Sequence, residues 1–185
     1  MVDVDFATIG SLPEKSPPPA GAGERRVNAL VKTVLWCVGN PIMADDGAGP
    51  ALYRELLGDP AEGVSPVNCE TAPENYLGPL KKNPPRRLVV ADAAEMGLPP
   101  GSVRRIDLER SGDVSFSSHG IPLFLLLEPL KDDVEIVLIG IQPESRGMGE
   151  HLSPRVRGAV KKIAGILRRG EVDEIEPYQE NRSPR

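Results

Sequence analysis

The sequence predicts an α/β fold, a three-layer α/β/α sandwich around a mostly parallel sheet. Two observations carry that expectation. Aliphatic residues cluster in short uninterrupted runs, such as 88–91 and 136–141, the pattern of strands buried on both faces. Segments with apolar residues at helical spacing stand between those runs. Strands separated by helices imply right-handed crossovers and a sheet covered on both sides. A chain of 185 residues suffices for one such domain with a sizeable core and is short for two with linkers.

Residues 1–30 hold Pro13, Pro17, Pro18 and Pro19 with Gly21 and Gly23. That composition buries too little apolar surface to offset its ordering entropy, so a flexible arm is expected there. The domain is expected over 31–170. Residues 33–38 read as a first buried strand, and Leu52, Leu56 and Leu57 put apolar groups on one face of the following helix. A short second strand is expected at 67–70 and a brief helix at 76–82, stopped by Pro84 and Pro85. Residues 87–92 form the third strand, and Pro99, Pro100 and Gly101 turn the chain into a fourth at 102–107. A helix over 121–130 and a very apolar strand over 135–141 follow. The last helix has a full set of signals: Ser153 as N-cap, Pro154 at the first helical position, and Val156, Val160, Ile163 and Leu167 at helical spacing. Residues 171–185, with Glu171, Asp173, Glu174 and Glu176, read as a polar tail, at best partly docked. No internal repeat is present.

Several function classes are disfavoured. With 22 Lys and Arg against 27 Asp and Glu, no surface built to neutralise phosphates is indicated, so nucleic acid is not expected as a partner. The longest apolar stretch, 121–127, is far too short to cross a bilayer and contains Pro122. Residues 1–6 lack a basic cluster followed by an apolar segment, so no secretory signal is read and a cytoplasmic location is expected. Cys37 and Cys69 lie far apart, without the spacing of a disulfide framework or zinc knuckle. Cys37 reads as core, and Cys69 as a structural or free thiol.

In such sheets ligands bind beyond the carboxyl ends of the strands. That rule selects Asp45 and Asp46 after the first strand, Asp92 at the end of the third, and His119 ahead of the helix over 121–130. Each also has an ordinary explanation. Asp46 reads equally as a helix N-cap, Asp92 as an acceptor for a neighbouring loop, and His119 as a helix cap or a satisfied, partly buried histidine. Their conjunction at one sheet end favours a site made of Asp46, Asp92 and His119, with Asp45 contributing less. His151, the other histidine, has no acidic partner that can be placed near it and reads as structural. Two carboxylates and an imidazole suit a borderline divalent ion such as zinc or nickel with a position left open, and equally suit acid-base work without metal. No His-Glu-x-x-His, Gly-x-Ser-x-Gly or Cys-His signature occurs, and Ser117 and Ser118 gain no nucleophilic role from adjacency to His119. A nucleotide loop is excluded, because neither glycine fingerprint is present and Asp45 and Asp46 would repel a pyrophosphate.

Five stretches in order carry a resemblance. They are Gly39-Asn40-Pro41 through Asp45-Asp46-Gly47-Ala48-Gly49-Pro50; Thr71-Ala72-Pro73-Glu74-Asn75; Val90-Ala91-Asp92-Ala93 with Met96-Gly97; Ser117-Ser118-His119; and Gly140-Ile141-Gln142-Pro143-Glu144. Over residues 33–167 the chain resembles the nickel-iron hydrogenase maturation endopeptidases. The resemblance implies a five-stranded α/β/α fold and an enzyme that senses nickel installed in the large-subunit precursor, then removes its C-terminal extension. By motif the acids and histidine that meet nickel are Asp46, Asp92 and His119. Nickel then arrives with the substrate, and another divalent ion such as zinc could take its place in the isolated protein. Members often carry glutamate at the first acidic position. Asp46, with the Ala-Pro-Glu-Asn stretch, is similar to the proteases serving hydrogenase-3 or coenzyme-F420-reducing enzymes. The alternatives are a nickel checkpoint or delivery protein that binds the large subunit without cutting it, and a small-molecule hydrolase, which would leave the other matched stretches without a role.

Overall fold

The computed structural model describes residues 33–116 and 121–179. The arm expected over 1–30 lies outside the described residues, as does the end of the expected tail. Six strands, β1 (Thr33–Val38), β2 (Val64–Glu70), β3 (Arg87–Glu95), β4 (Val103–Ile106), β5 (Ser115–Phe116) and β6 (Glu135–Ile141), form one sheet in the order β2-β1-β3-β6-β4, with β5 attached to β3. The ladders β1–β2, β1–β3 and β3–β6 are parallel, while β4 on β6 and β5 on β3 are antiparallel. All five expected strands are present. β5 adds a sixth, too short at two residues to show any periodicity.

The helices are α1 (Ala48–Gly58), α2 (Leu77–Lys82), α3 (Leu123–Leu127) and α4 (Pro154–Arg169). Alternate strand residues feed opposite faces, as a period of two requires. Leu35, Cys37, Val89, Ala91, Val137 and Ile139 pack with α1 and α4, whereas Trp36, Val38, Leu88, Val90 and Leu138 pack with α2 and α3. The result is the expected three-layer sandwich.

Four features depart most from expectation. β2 begins at Val64, running through Pro66, which an edge strand tolerates because one side needs no ladder bonds. β3 continues to Glu95 instead of stopping at Asp92, since β6 pairs as far as Ala93 and β5 adds Ala94 and Glu95. Leu57 is 58% exposed while Leu52 and Leu56 are buried, because one further helical residue rotates the side chain about 100° off the apolar face. The helix expected over 121–130 is α3 followed by a 3-10 turn, Glu128–Leu130, because Pro129 lacks the N–H that would continue α-helical bonding.

α4 is built as its sequence prescribes. The Ser153 hydroxyl accepts from the Val156 N–H at 3.4 Å, and Gly170 takes the left-handed conformation that ends the helix. The acidic segment beyond it docks through Val172 and Ile175, both buried. Its backbone brackets β4, with the Arg105 N–H donating to Glu176 and the Tyr178 N–H to Arg105 at 2.9 and 2.7 Å. Two apolar residues among the acids supply the burial that the composition of the segment conceals.

The face assignment is tested by paired truncations. Ile163→Ala, which empties a fully buried position, is expected to lower unfolding free energy by about 2–4 kcal/mol. Leu57→Ala should change it by less than about 0.5 kcal/mol in urea unfolding.

Candidate active site

The carboxyl ends of the parallel strands are where the chain leaves regular structure, beginning with the loop after β1. Gly39 has φ of 139°, and a Cβ there would fall 2.0 Å from the Asp46 carbonyl oxygen. A Cβ on Gly49 would fall 2.0 Å from the Val38 carbonyl oxygen. Only glycine lets the loop fold back this tightly over the end of β1. The Asn40 N–H donates to both the carbonyl and the Oδ2 of Asp46, at 3.1 and 3.3 Å. Asp46 thus sits in a 3-10 turn, Ala44–Gly47, almost wholly buried. Gly47 holds the N-cap position of α1 and no side chain caps that end; the arrangement in which Asp46 serves as N-cap is not adopted.

Asp92 lies within β3, opposite Gly140 of β6, with no exposed surface. Because Cys37 pairs with Ala91, Asp92 is level with Val38, the last residue of β1. The turn bearing Asp46 packs against β3, so the structure brings these two elements together at one end of the central strands. Both acids are buried. His119 lies outside the described residues. β5, the last described segment before it, pairs antiparallel with the end of β3, with Phe116 opposite Ala94 and Ser115 opposite Glu95. Among the described residues no three His, Cys, Asp or Glu side chains form a metal-holding group.

Asp45, given a lesser part by its sequence, is a principal fastening. Its Oδ2 accepts from the N–H groups of Glu144 and Ser145 at 2.8 and 3.0 Å, and its Oδ1 from the Ser153 N–H at 2.6 Å. The loop 39–50 is thereby tied to the loop 142–153 that leads from β6 to α4. Backbone bonds reinforce the join: Ala44 N–H to Gly149 at 2.6 Å, Asp45 N–H to Ser145 at 3.1 Å, and Gly149 N–H to Ile42 at 3.0 Å. Nothing in the local sequence separates the roles of Asp45 and Asp46, because the partners of Asp45 lie about a hundred residues away.

Gln142 is a second role the sequence did not assign. Its Oε1 accepts from Met96 and Leu98 N–H groups at 2.8 and 3.3 Å, and its Nε2 donates to Glu95 at 2.7 Å, fixing the turn after β3 to the end of β6. The only non-glycine residues with positive φ among those described, Ala44 and Glu70, both lie at this end of the sheet, where strain is often concentrated. His151 is exposed beside a cleft between α1 and α4 lined by Arg54, Arg157 and Lys161; it takes no part in the site. Cys37 and Cys69 are both buried and free.

A family model described as hydrogenase maturation protease matches residues 53–169. This chain belongs to the hydrogenase maturation protease family. Membership makes it an endopeptidase, a hydrolase of peptide bonds, as the sequence resemblance implied. It is similar to the hydrogenase 3 maturation protease of Escherichia coli (strain K12), 36% identical over 132 residues that cover 70% of this chain and 85% of the relative. A crystal structure of the hydrogenase 3 maturation protease superposes with a TM-score of 0.73 at 32% identity, covering 82% of this chain and 99% of that one. A [NiFe] hydrogenase maturation protease from Thermococcus kodakarensis KOD1 gives 0.68 at 28% identity, covering 78% and 94%. Among the described residues of this protease no helix is long and apolar enough to cross a membrane.

Two measurements probe the frame of the site. Asp45→Ala strips three backbone N–H groups of their acceptor and is expected to cost about 2–4 kcal/mol in urea unfolding, a loss that an exposed acid would not produce. Burial pushes the Cys37 thiol well above its ordinary 9.0, and burial followed by the charge of Cys37 does the same to Cys69. A raised folded value stabilises fully below pH 9 and is lost above it, as the unfolded chain ionises first. Iodoacetamide at pH 8 should therefore label neither thiol until the protein is unfolded.

Proposed function

We propose that this endopeptidase removes the C-terminal extension from the large-subunit precursor of a nickel-iron hydrogenase once nickel is in place, acting in the cytoplasm. Asp46, Asp92 and His119 complete the coordination of the ion that the precursor carries. The observation that supports this most directly is the packing of the turn that carries Asp46 against β3, the strand that carries Asp92. Two buried carboxylates at the carboxyl end of the sheet meet little competition from water and favour a cation presented to them.

The donor set suits the task. Two oxygens and an imidazole nitrogen fit a borderline divalent ion yet leave positions open, so an ion held by this protein alone would exchange readily. An ion already anchored by precursor ligands gains a second set at high effective concentration once the proteins dock. Docking on the ion also places the scissile bond beside the two acids, and that positioning supplies much of the catalysis. Selectivity for nickel-loaded precursor follows from the shared coordination. No covalent nucleophile is assigned.

The test is cleavage read by intact mass of the large subunit. Precursor loaded by its own maturation machinery should lose a C-terminal peptide. Metal-free precursor, with or without nickel added to the protease, should not. Asp46→Asn, Asp92→Asn and His119→Ala are each expected to slow processing by about 100-fold or more while circular dichroism stays unchanged. Equal cleavage of the metal-free form in the presence of a chelator would refute metal sensing.

A further inference from the structure

Ile42, 55% exposed, and Met148, 88% exposed, lie on the two loops that Asp45 fastens together. The join is a parallel bridge between Met43 and Gly149, in which the Gly149 N–H donates to the Ile42 carbonyl and the Gly149 carbonyl accepts from Ala44. The bridge therefore brings the backbone on either side of Met43 next to that on either side of Gly149, so Ile42 and Met148 flank one fixed join. Isolated exposed apolar residues are ordinary. These two flank the same backbone bridge, and the chain from Ile42 runs directly into the buried turn that carries Asp46.

We propose that Ile42 and Met148 form an apolar seat at the mouth of the site for the substrate polypeptide, receiving an apolar side chain of the precursor near the scissile bond. The occupant follows from position: an endopeptidase must bring a polypeptide to its acids, and a surface continuous with the Asp46 turn is covered whenever it does so. The side chains match the task. Isoleucine is stiff at χ1 and offers a fixed wall, whereas the unbranched thioether of methionine adapts to the shape laid against it. The loops are already fastened by the Asp45 carboxylate, so little ordering of backbone opposes binding. The proposal rests on the reading of this protein as the endopeptidase that processes the large-subunit precursor.

The experiment compares wild type with Ile42→Ser, Met148→Ser and the double variant, measuring both binding to nickel-loaded precursor and its processing. Each serine variant is expected to raise Kd and KM about tenfold, the pair more, with the loss falling on KM rather than kcat and the thermal midpoint unchanged. Met148→Leu should recover most of the loss seen in Met148→Ser. Leu57→Ser, an exposed apolar position on α1, should leave KM unaltered. Serine variants that bind and cut as wild type does would overturn the seat and leave the endopeptidase reading standing. Wild type that binds the precursor without shortening it would overturn that reading, and the binding comparison would still decide the seat. Wild type that does neither would overturn both.

Discussion

The carboxylate of Asp45 holds the working end of this protein together. A charged acceptor without exposed surface is tolerable only if its hydrogen bonds are met, and three backbone N–H groups from one distant loop meet them. The loop 142–153 in return is held against the loop after β1 through backbone groups that would otherwise need water. Asp46 is the next residue, so whatever fixes Asp45 also fixes where Asp46 stands. Ile42 and Met148 are presented outward by the same join. One buried carboxylate thus sets the geometry of a second carboxylate and of the surface around it.

The sheet supplies the other half of the site. β1 and β3 are central, flanked on both sides and covered by helices on both faces, so their backbones have almost no freedom to shift. β1 stops at Val38 while β3 runs on through Asp92 to Glu95. That difference in length opens the space into which the first loop folds, and Gly39 and Gly49 permit the close return. A carboxylate carried by such a strand is placed by the packing of the core and not by the ordering of a loop.

The same economy extends to the turn after β3. Gln142 spends both its oxygen and its nitrogen on the segment from Glu95 to Leu98, so one side chain fixes the turn after β3 to the end of β6. Together Asp45 and Gln142 form a polar collar around the strand ends, built from two short motifs that are adjacent in space and remote in sequence. The buried thiols Cys37 and Cys69 belong to the core, one on each face of the sheet.

The sequence by itself determined the fold class, because buried parallel strands and amphipathic helices leave local periodicities that need no partner to be read. β1, β6 and α4 have the boundaries that their apolar runs and the Ser153-Pro154 cap prescribe. It also marked Asp46 and Asp92 as candidates, because acids near the carboxyl ends of parallel strands are directed to one end of the sheet by topology; His119, the third candidate, lies outside the described residues. Tertiary structure alone decided what distinguishes Asp45 from Asp46, where β3 ends, how β5 joins it, and that the acidic segment after α4 docks. Each of these depends on a partner far along the chain: Glu144, Ser145 and Ser153 for Asp45, β6 and β5 for the end of β3, and Arg105 for the docked segment. A hydrogen bond between residues a hundred positions apart leaves no periodicity in the sequence, and only the folded chain brings its two ends together.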